Sequence, residues 1–141
     1  MKYVLDPSVA VKWVLDEQHS DRARRLRDGT RNGTHELLSP NVFPGEAGHA
    51  LTRAERQGRI RVGDAIVLWS DIMNTCPRLI ISLPLTHRAI VISSQTQVSV
   101  FDCLYVALAD REGCQLVTAD SRLVRVVQKE YPFIVDLSSL P

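Results

Sequence analysis

Short apolar runs alternate with longer stretches whose apolar residues recur at helical spacing, from one end of the chain to the other. Strands and helices laid in layers produce that alternation, because each element must bury one apolar face against a neighbour. Residues 3–5, 37–39, 79–83, 115–118 and 133–137 read as short strands. Between them the spacing predicts helices. Pro7 and Ser8 open the first, in which Val9, Trp13 and Val14 recur at helical spacing and Val11 and Leu15 widen the apolar stripe. A polar second helix is expected over 19–28, stopping at Asp28-Gly29, with 30–34 as loop because Gly29, Asn32 and Gly33 are turn formers. A third covers 42–57, with Pro44 in its first turn and Gly58 as its stop, and a fourth covers 62–75, ended by Pro77. Thr86 is the expected cap of a helix reaching residue 94. Phe101, Leu104, Tyr105 and Leu108 fall at i, i+3, i+4 and i+7, the buried face of a helix closed by Gly113, and a last helix is expected over 121–130.

Strands joined by helices rather than by tight turns favour a mainly parallel sheet, since parallel neighbours need long crossovers. The expected fold is therefore α/β, a three-layer α/β/α domain with helices on both faces. No repeat, low-complexity tract or linker interrupts residues 1–141, which are expected to form one domain. With 45% hydrophobic and 23% charged residues, the composition is that of a packed globular protein. The three cysteines, Cys76, Cys103 and Cys114, are odd in number and form no C-x-x-C pair, so they read as buried thiols in a reducing compartment. An acid, Asp6, arrives before any apolar stretch long enough for a signal peptide, and no segment approaches the ~20 apolar residues of a spanning helix. A cytoplasmic protein without membrane association is expected.

The formal charge of +1 does not announce a nucleic-acid binder. Arg22, Arg24, Arg25, Arg27 and Arg31 cluster in the second helix, where they either solvate its outer face or contact phosphates. The acids are more informative. Ligands of open α/β sheets settle beyond the carboxyl ends of the strands. Asp6 and Asp120 both follow strands directly, and Glu46 and Asp102 fall in the first turns of helices that would start at the same edge. Each has a purely structural reading: Asp6 and Asp120 as helix N-caps, Asp102 at capping-box spacing from Ser99, and Glu46 at the favourable end of a helix dipole. Taken together, four acids in one cleft repel one another unless a cation occupies it. Oxygen donors without accompanying His or Cys suit a hard ion, Mg²⁺ or Mn²⁺. Such an ion can activate water against a phosphodiester.

Four segments carry a specific resemblance: Val4-Leu5-Asp6-Pro7-Ser8, Glu46 in its helix, the run from Phe101-Asp102-Cys103 to Ala109, and Leu116-Val117-Thr118-Ala119-Asp120-Ser121. In order and spacing, over nearly the whole chain, they resemble PIN domains, most of all the VapC-type toxins of bacterial toxin–antitoxin pairs. The resemblance implies that Asp6, Asp102 and Asp120 hold the metal with Asp6 at the centre, that Glu46 helps to orient the attacking water, and that Ser8 and Thr118 support the acids. It also implies a Mg²⁺- or Mn²⁺-dependent endoribonuclease, an RNA substrate, a cognate antitoxin and a homodimer. A catalytically silent PIN-like module that binds RNA or protein is the alternative.

Other residues carry less. Asp110, two helical turns past Asp102, is expected on the surface. His49 shares a helix face with Glu46 but lacks metal-ligand partners in sequence. Trp13 and Trp69 are expected in core or interface packing, and Arg53, Arg56, Arg59 and Arg61 either line an RNA path or solvate a helix end. Motifs of nucleotide triphosphatases, dinucleotide binders, zinc proteases and serine hydrolases are absent, and Ser8 stands where a haloacid dehalogenase-type phosphatase would need a second Asp. A response-regulator receiver would need an early acid pair and a Lys that the chain does not supply.

Overall fold

The computed structural model describes all residues, 1–141. Five strands form one parallel sheet: β1 (Lys2–Leu5), β2 (Glu36–Pro40), β3 (Arg78–Ile80), β4 (Gln115–Thr118) and β5 (Ile134–Asp136), in the spatial order β3-β2-β1-β4-β5. The first strand is thus the central one, with Val4 opposite Leu38 on one side and Leu116 on the other. From β1 the chain first moves outward through α1 (Pro7–Val14) and α2 (Ser20–Arg31) to β2, then through α3 (Phe43–Arg56) and α4 (Asp64–Met73) to β3. It then returns across the sheet through α5 (Leu83–Thr96) and α6 (Val100–Glu112) to β4, and α7 (Ser121–Val127) leads to β5. Right-handed crossovers in opposite directions place α1 to α4 on one face and α5 to α7 on the other. That is the three-layer α/β/α arrangement.

The core is continuous through the sheet. Val4, Leu5, Leu38, Leu116 and Val117 are fully buried in it, and α6 packs against β1, β2 and β4. Cys103 to Ala109 are all buried, as expected of a helix covered on every side. Ser99 caps it by accepting the Asp102 N–H at 3.2 Å, and Gly113 ends it at φ 62. Trp13 is buried and its indole N–H bonds the Ala23 carbonyl at 2.9 Å, tying α1 to α2. No single helix is long and apolar enough to cross a membrane.

Several boundaries depart from the sequence reading. The second helix runs on through Gly29 and Thr30 to Arg31. Gly29 is not a stop: the His35 ring lies 2.2 Å from where its Cβ would sit, so glycine is needed for close approach while the helix continues. Strand β3 ends at Ile80, and Leu83, expected in the strand, begins α5, with Pro84 fixing the first turn and Ser82 at the cap position. Thr86 is inside that first turn and donates to the Ser82 carbonyl at 2.9 Å instead of capping. Helix α4 is shorter than expected because Gly63, at φ 98, turns the chain into Asp64. Helix α7 stops at Val127, and Leu137 belongs to a 3₁₀ turn (Leu137–Ser139) after β5. Only Cys103 is a fully buried thiol. Cys114 is half-buried, and Cys76 is exposed because it lies in the turn between α4 and β3.

Candidate active site

The direction of strand addition reverses between β1 and β4, and a crevice opens beyond the carboxyl ends of strands at such a switch point. Asp6 and Asp120 flank it. The Asp6 backbone N–H bonds the Val117 carbonyl at 3.1 Å, so the end of β1 is pinned to β4. Asp6 is buried, and its Oδ2 accepts the Ser8 N–H at 3.1 Å, the Ser8 hydroxyl and the Thr118 hydroxyl at 3.3 Å. The same two hydroxyls accept the backbone N–H groups of Ala119 at 3.0 Å and Asp120 at 3.1 Å. Ser8 and Thr118 are therefore the struts between the two strand-end acids. Asp120, exposed, caps α7 through Oδ1, which accepts the N–H groups of Arg122 and Leu123 at 3.0 and 3.2 Å. Half-buried Glu46 and Asp102 stand in the first turns of α3 and α6, as the sequence predicts, and Glu46 Oε1 accepts the Tyr105 hydroxyl at 2.7 Å.

Each acid keeps an oxygen free. Asp6 Oδ1, Glu46 Oε2 and Asp120 Oδ2 accept no hydrogen bond from the protein, and Asp102 has only the Ser99 side chain beside it. None of the four forms an ion pair. Their charges also act on one another. Burial, opposed by the Ser8 hydrogen bonds and reinforced by Asp102 and Glu46, pushes the Asp6 carboxyl up to about 7. Burial also raises Glu46, against the Tyr105 hydrogen bond and with repulsion from Asp102. Asp102 is raised by burial, lowered by the Ser99 hydrogen bond and raised again by Asp120. Repulsion thus links Asp6, Glu46 and Asp102 with one another, and Asp120 with Asp102. No three His, Cys, Asp or Glu side chains, however, stand close enough to hold one ion between them. The acids surround the crevice without closing on one point, so a hard cation there would be held partly through its own water shell.

Against known families, residues 3–129 match the PIN domain. The chain belongs to the PIN domain family. PIN domains are generally nucleases and typically use divalent metal ions. Two solved structures share the fold. PAE2754 from Pyrobaculum aerophilum superimposes with a TM-score of 0.69 at 20% identity, over 99% of this chain and 94% of that one. VapBC2 from Rickettsia felis, solved bound to a DNA fragment from their promoter, gives 0.61 at 15% identity, over 96% and 97%. No curated protein matches the sequence.

Sequence reasoning placed Tyr105 only on the buried face of α6 and missed its contact with Glu46. The available signal was a single phenol among otherwise apolar buried residues, one turn after Asp102: a buried tyrosine hydroxyl needs a partner. The arginines of α2 are all engaged within the chain. Arg22 donates to the Leu140 carbonyl, Arg24 pairs with Asp16, Arg25 with Asp21, Arg27 with Asp28, and Arg31 donates to Thr75. Asp110 is a surface residue paired with Arg88 at 3.8 Å. Trp69 is half-buried between α3 and α4, donating to the Pro44 carbonyl at 2.9 Å.

Proposed function

We propose that this PIN domain is a metal-dependent endoribonuclease, the toxin of a VapC-type toxin–antitoxin pair acting in the cytoplasm. The observation that carries the reading is the set of uncommitted carboxylate oxygens, none of them in an ion pair, at the switch point of a PIN fold. Mg²⁺ or Mn²⁺ held there by Asp6, Asp102 and Asp120 would supply an activated water and offset phosphate charge. The protein's own part is positional. Three donors lock Asp6 Oδ2, which fixes the direction of Oδ1. Tyr105 holds Glu46 Oε1, leaving Oε2 to orient the attacking water. Burial of Asp6 and half-burial of Glu46 and Asp102 keep bulk water from screening these charges. No serine or cysteine nucleophile is needed, and Ser8 is occupied in bracing Asp6 and Ala119.

Cleavage of a mixed cellular RNA pool tests the reading. With Mg²⁺ or Mn²⁺ the protein, freed of any antitoxin, cuts the pool; EDTA and Asp6→Asn each stop it. Cutting that survives either one rules out this carboxylate site. A homodimer and a small antitoxin from a neighbouring gene belong to the same proposal. The Rickettsia felis VapBC2 complex, similar in fold, supports the antitoxin by analogy. Light scattering at the mass of one chain, or failure of the neighbouring gene's product to co-purify, would count against them.

The openness of the acid ring favours one second reading, a silent PIN domain that binds RNA or protein without cutting. Calorimetric titration with Mn²⁺ separates the two, because a silent module has no reason to take up the ion at a defined stoichiometry.

A further inference from the structure

A cleft of about 380 Å³ lies between α1 and α3 and reaches Ser8, which braces Asp6, and Ala119, whose N–H bonds the Ser8 hydroxyl. Its walls carry Lys12, His49, Arg53 and Arg59 against one acid, Glu17. Glu17 already engages Arg59 at 2.8 Å and Lys12 at 3.7 Å, and Lys12 also donates to the Gln18 carbonyl at 2.8 Å. Arg53 has no ion-pair or hydrogen-bond partner and is exposed. On α3 the residues Glu46, His49 and Arg53 fall at i, i+3 and i+7, on one face. The Arg53 backbone therefore lies about 10 Å along the helix from that of Glu46, at seven residues of 1.5 Å rise.

We propose that this cleft is a substrate subsite in which Arg53 takes a backbone phosphate of single-stranded RNA next to the one being cut. The inference rests on the ribonuclease reading for the identity of the strand. Its own support is the arrangement of charge: the four acids outnumber Arg122 beside them and repel polyanions, and the adjoining cleft offers the attraction that the net charge of +1 does not. A planar five-donor fork left unpaired beside a catalytic crevice suits a phosphate diester. An acidic peptide would meet the same cations. The cleft includes Ser8, which holds Asp6, however, so a strand lying over the acids runs into it, whereas a protein partner would find a more purely apolar surface between α3 and α4 at Ile66 and Trp69.

The test uses the full chain carrying Asp6→Asn, so that RNA is bound and not cut, and a short fluorescein-labelled single-stranded RNA of mixed sequence. Affinity is read by fluorescence anisotropy across a salt series. Adding Arg53→Ala should weaken binding roughly tenfold at low salt and flatten the salt slope by about 0.7, one single-strand phosphate contact. Arg53→Lys should restore the slope, and Arg78→Ala, an exposed arginine on β3, should leave it alone. In the otherwise unaltered protein, Arg53→Ala should raise KM and spare kcat. An unchanged slope with Arg53→Ala overturns the subsite, as does displacement from the cleft of a polyglutamate peptide without effect on RNA. The two failures are distinguishable. If the unaltered protein cuts RNA and Arg53→Ala is silent, only the subsite falls; if it cuts nothing while Arg53 governs RNA binding, the nuclease reading falls.

Discussion

Asp6 and Asp120 end adjacent strands and each also caps the helix that follows, whereas Glu46 and Asp102 stand in the first turns of α3 and α6 and hold no backbone donor. One pair is thus part of the scaffold and the other is not. Removing a strand-end acid strips partners from the Ser8 or Arg122 and Leu123 N–H groups. Removing a helix acid takes a partner only from a side-chain hydroxyl, that of Tyr105 or of Ser99. The site couples to folding stability through β1 and β4 and is free of it along α3 and α6.

The largest expected effect tests that division directly. Asp6→Asn and Asp6→Ala should both stop RNA cutting, but Asp6→Ala should unfold in urea at about 2 kcal/mol less stability than Asp6→Asn, because only asparagine keeps an acceptor for the cap and the buried hydroxyls. Asp102→Asn and Asp102→Ala should also stop cutting and should agree in stability to about 0.5 kcal/mol. Equal alanine penalties at both positions would erase the contrast.

Next in size is a pH effect on the metal-free protein. Asp6 is raised from 3.8 to about 7, chiefly by burial. The folded state then binds a proton that the unfolded chain has released, so its contribution to stability is full below 3.8 and is lost as pH rises through about 7. Thermal unfolding in EDTA should show a higher Tm at pH 5 than at pH 8, and Asp6→Asn should remove this part of the difference. The same slope in wild type and Asp6→Asn would assign it to other groups.

Ser8→Ala should cost about 1 to 2 kcal/mol, since it deprives both Asp6 Oδ2 and the Ala119 N–H of a partner, and it should lower cutting as well. Smallest in stability, and the sharpest on mechanism, is Tyr105→Phe. It should change unfolding by about 1 kcal/mol but lower kcat roughly tenfold by freeing Glu46 to rotate. An unchanged kcat would confine Tyr105 to packing.

Much of the scaffold was legible because its signals are local. Tyr3-Val4-Leu5 followed by Asp6-Pro7-Ser8 states strand, cap and helix within six residues, and Ser99, Phe101 to Leu108 and Gly113 mark both ends of α6. The acids were legible for the same reason, each by its place after a strand or in a first turn. What escaped depends on residues far apart in the chain. Gly29 reads as a helix stop until His35 is seen against it, and Tyr105 reads as core until Glu46, 59 residues away, is found on its hydroxyl. Nor can sequence show which carboxylate oxygens are left free, or that the arginines of α2 are already engaged while Arg53 is not.

Because the first strand is the central one, the crevice has an order of assembly. Asp6 leaves the ribosome early, yet the hydroxyl that completes its support, Thr118, follows 112 residues later. Until β4 is made, β1 lacks the neighbour that pins Asp6, and the acids of α3 and α6 have no common centre. A chain in which β4 is not yet seated therefore holds Asp6 without the Thr118 hydroxyl and without the Val117 carbonyl that fixes its backbone.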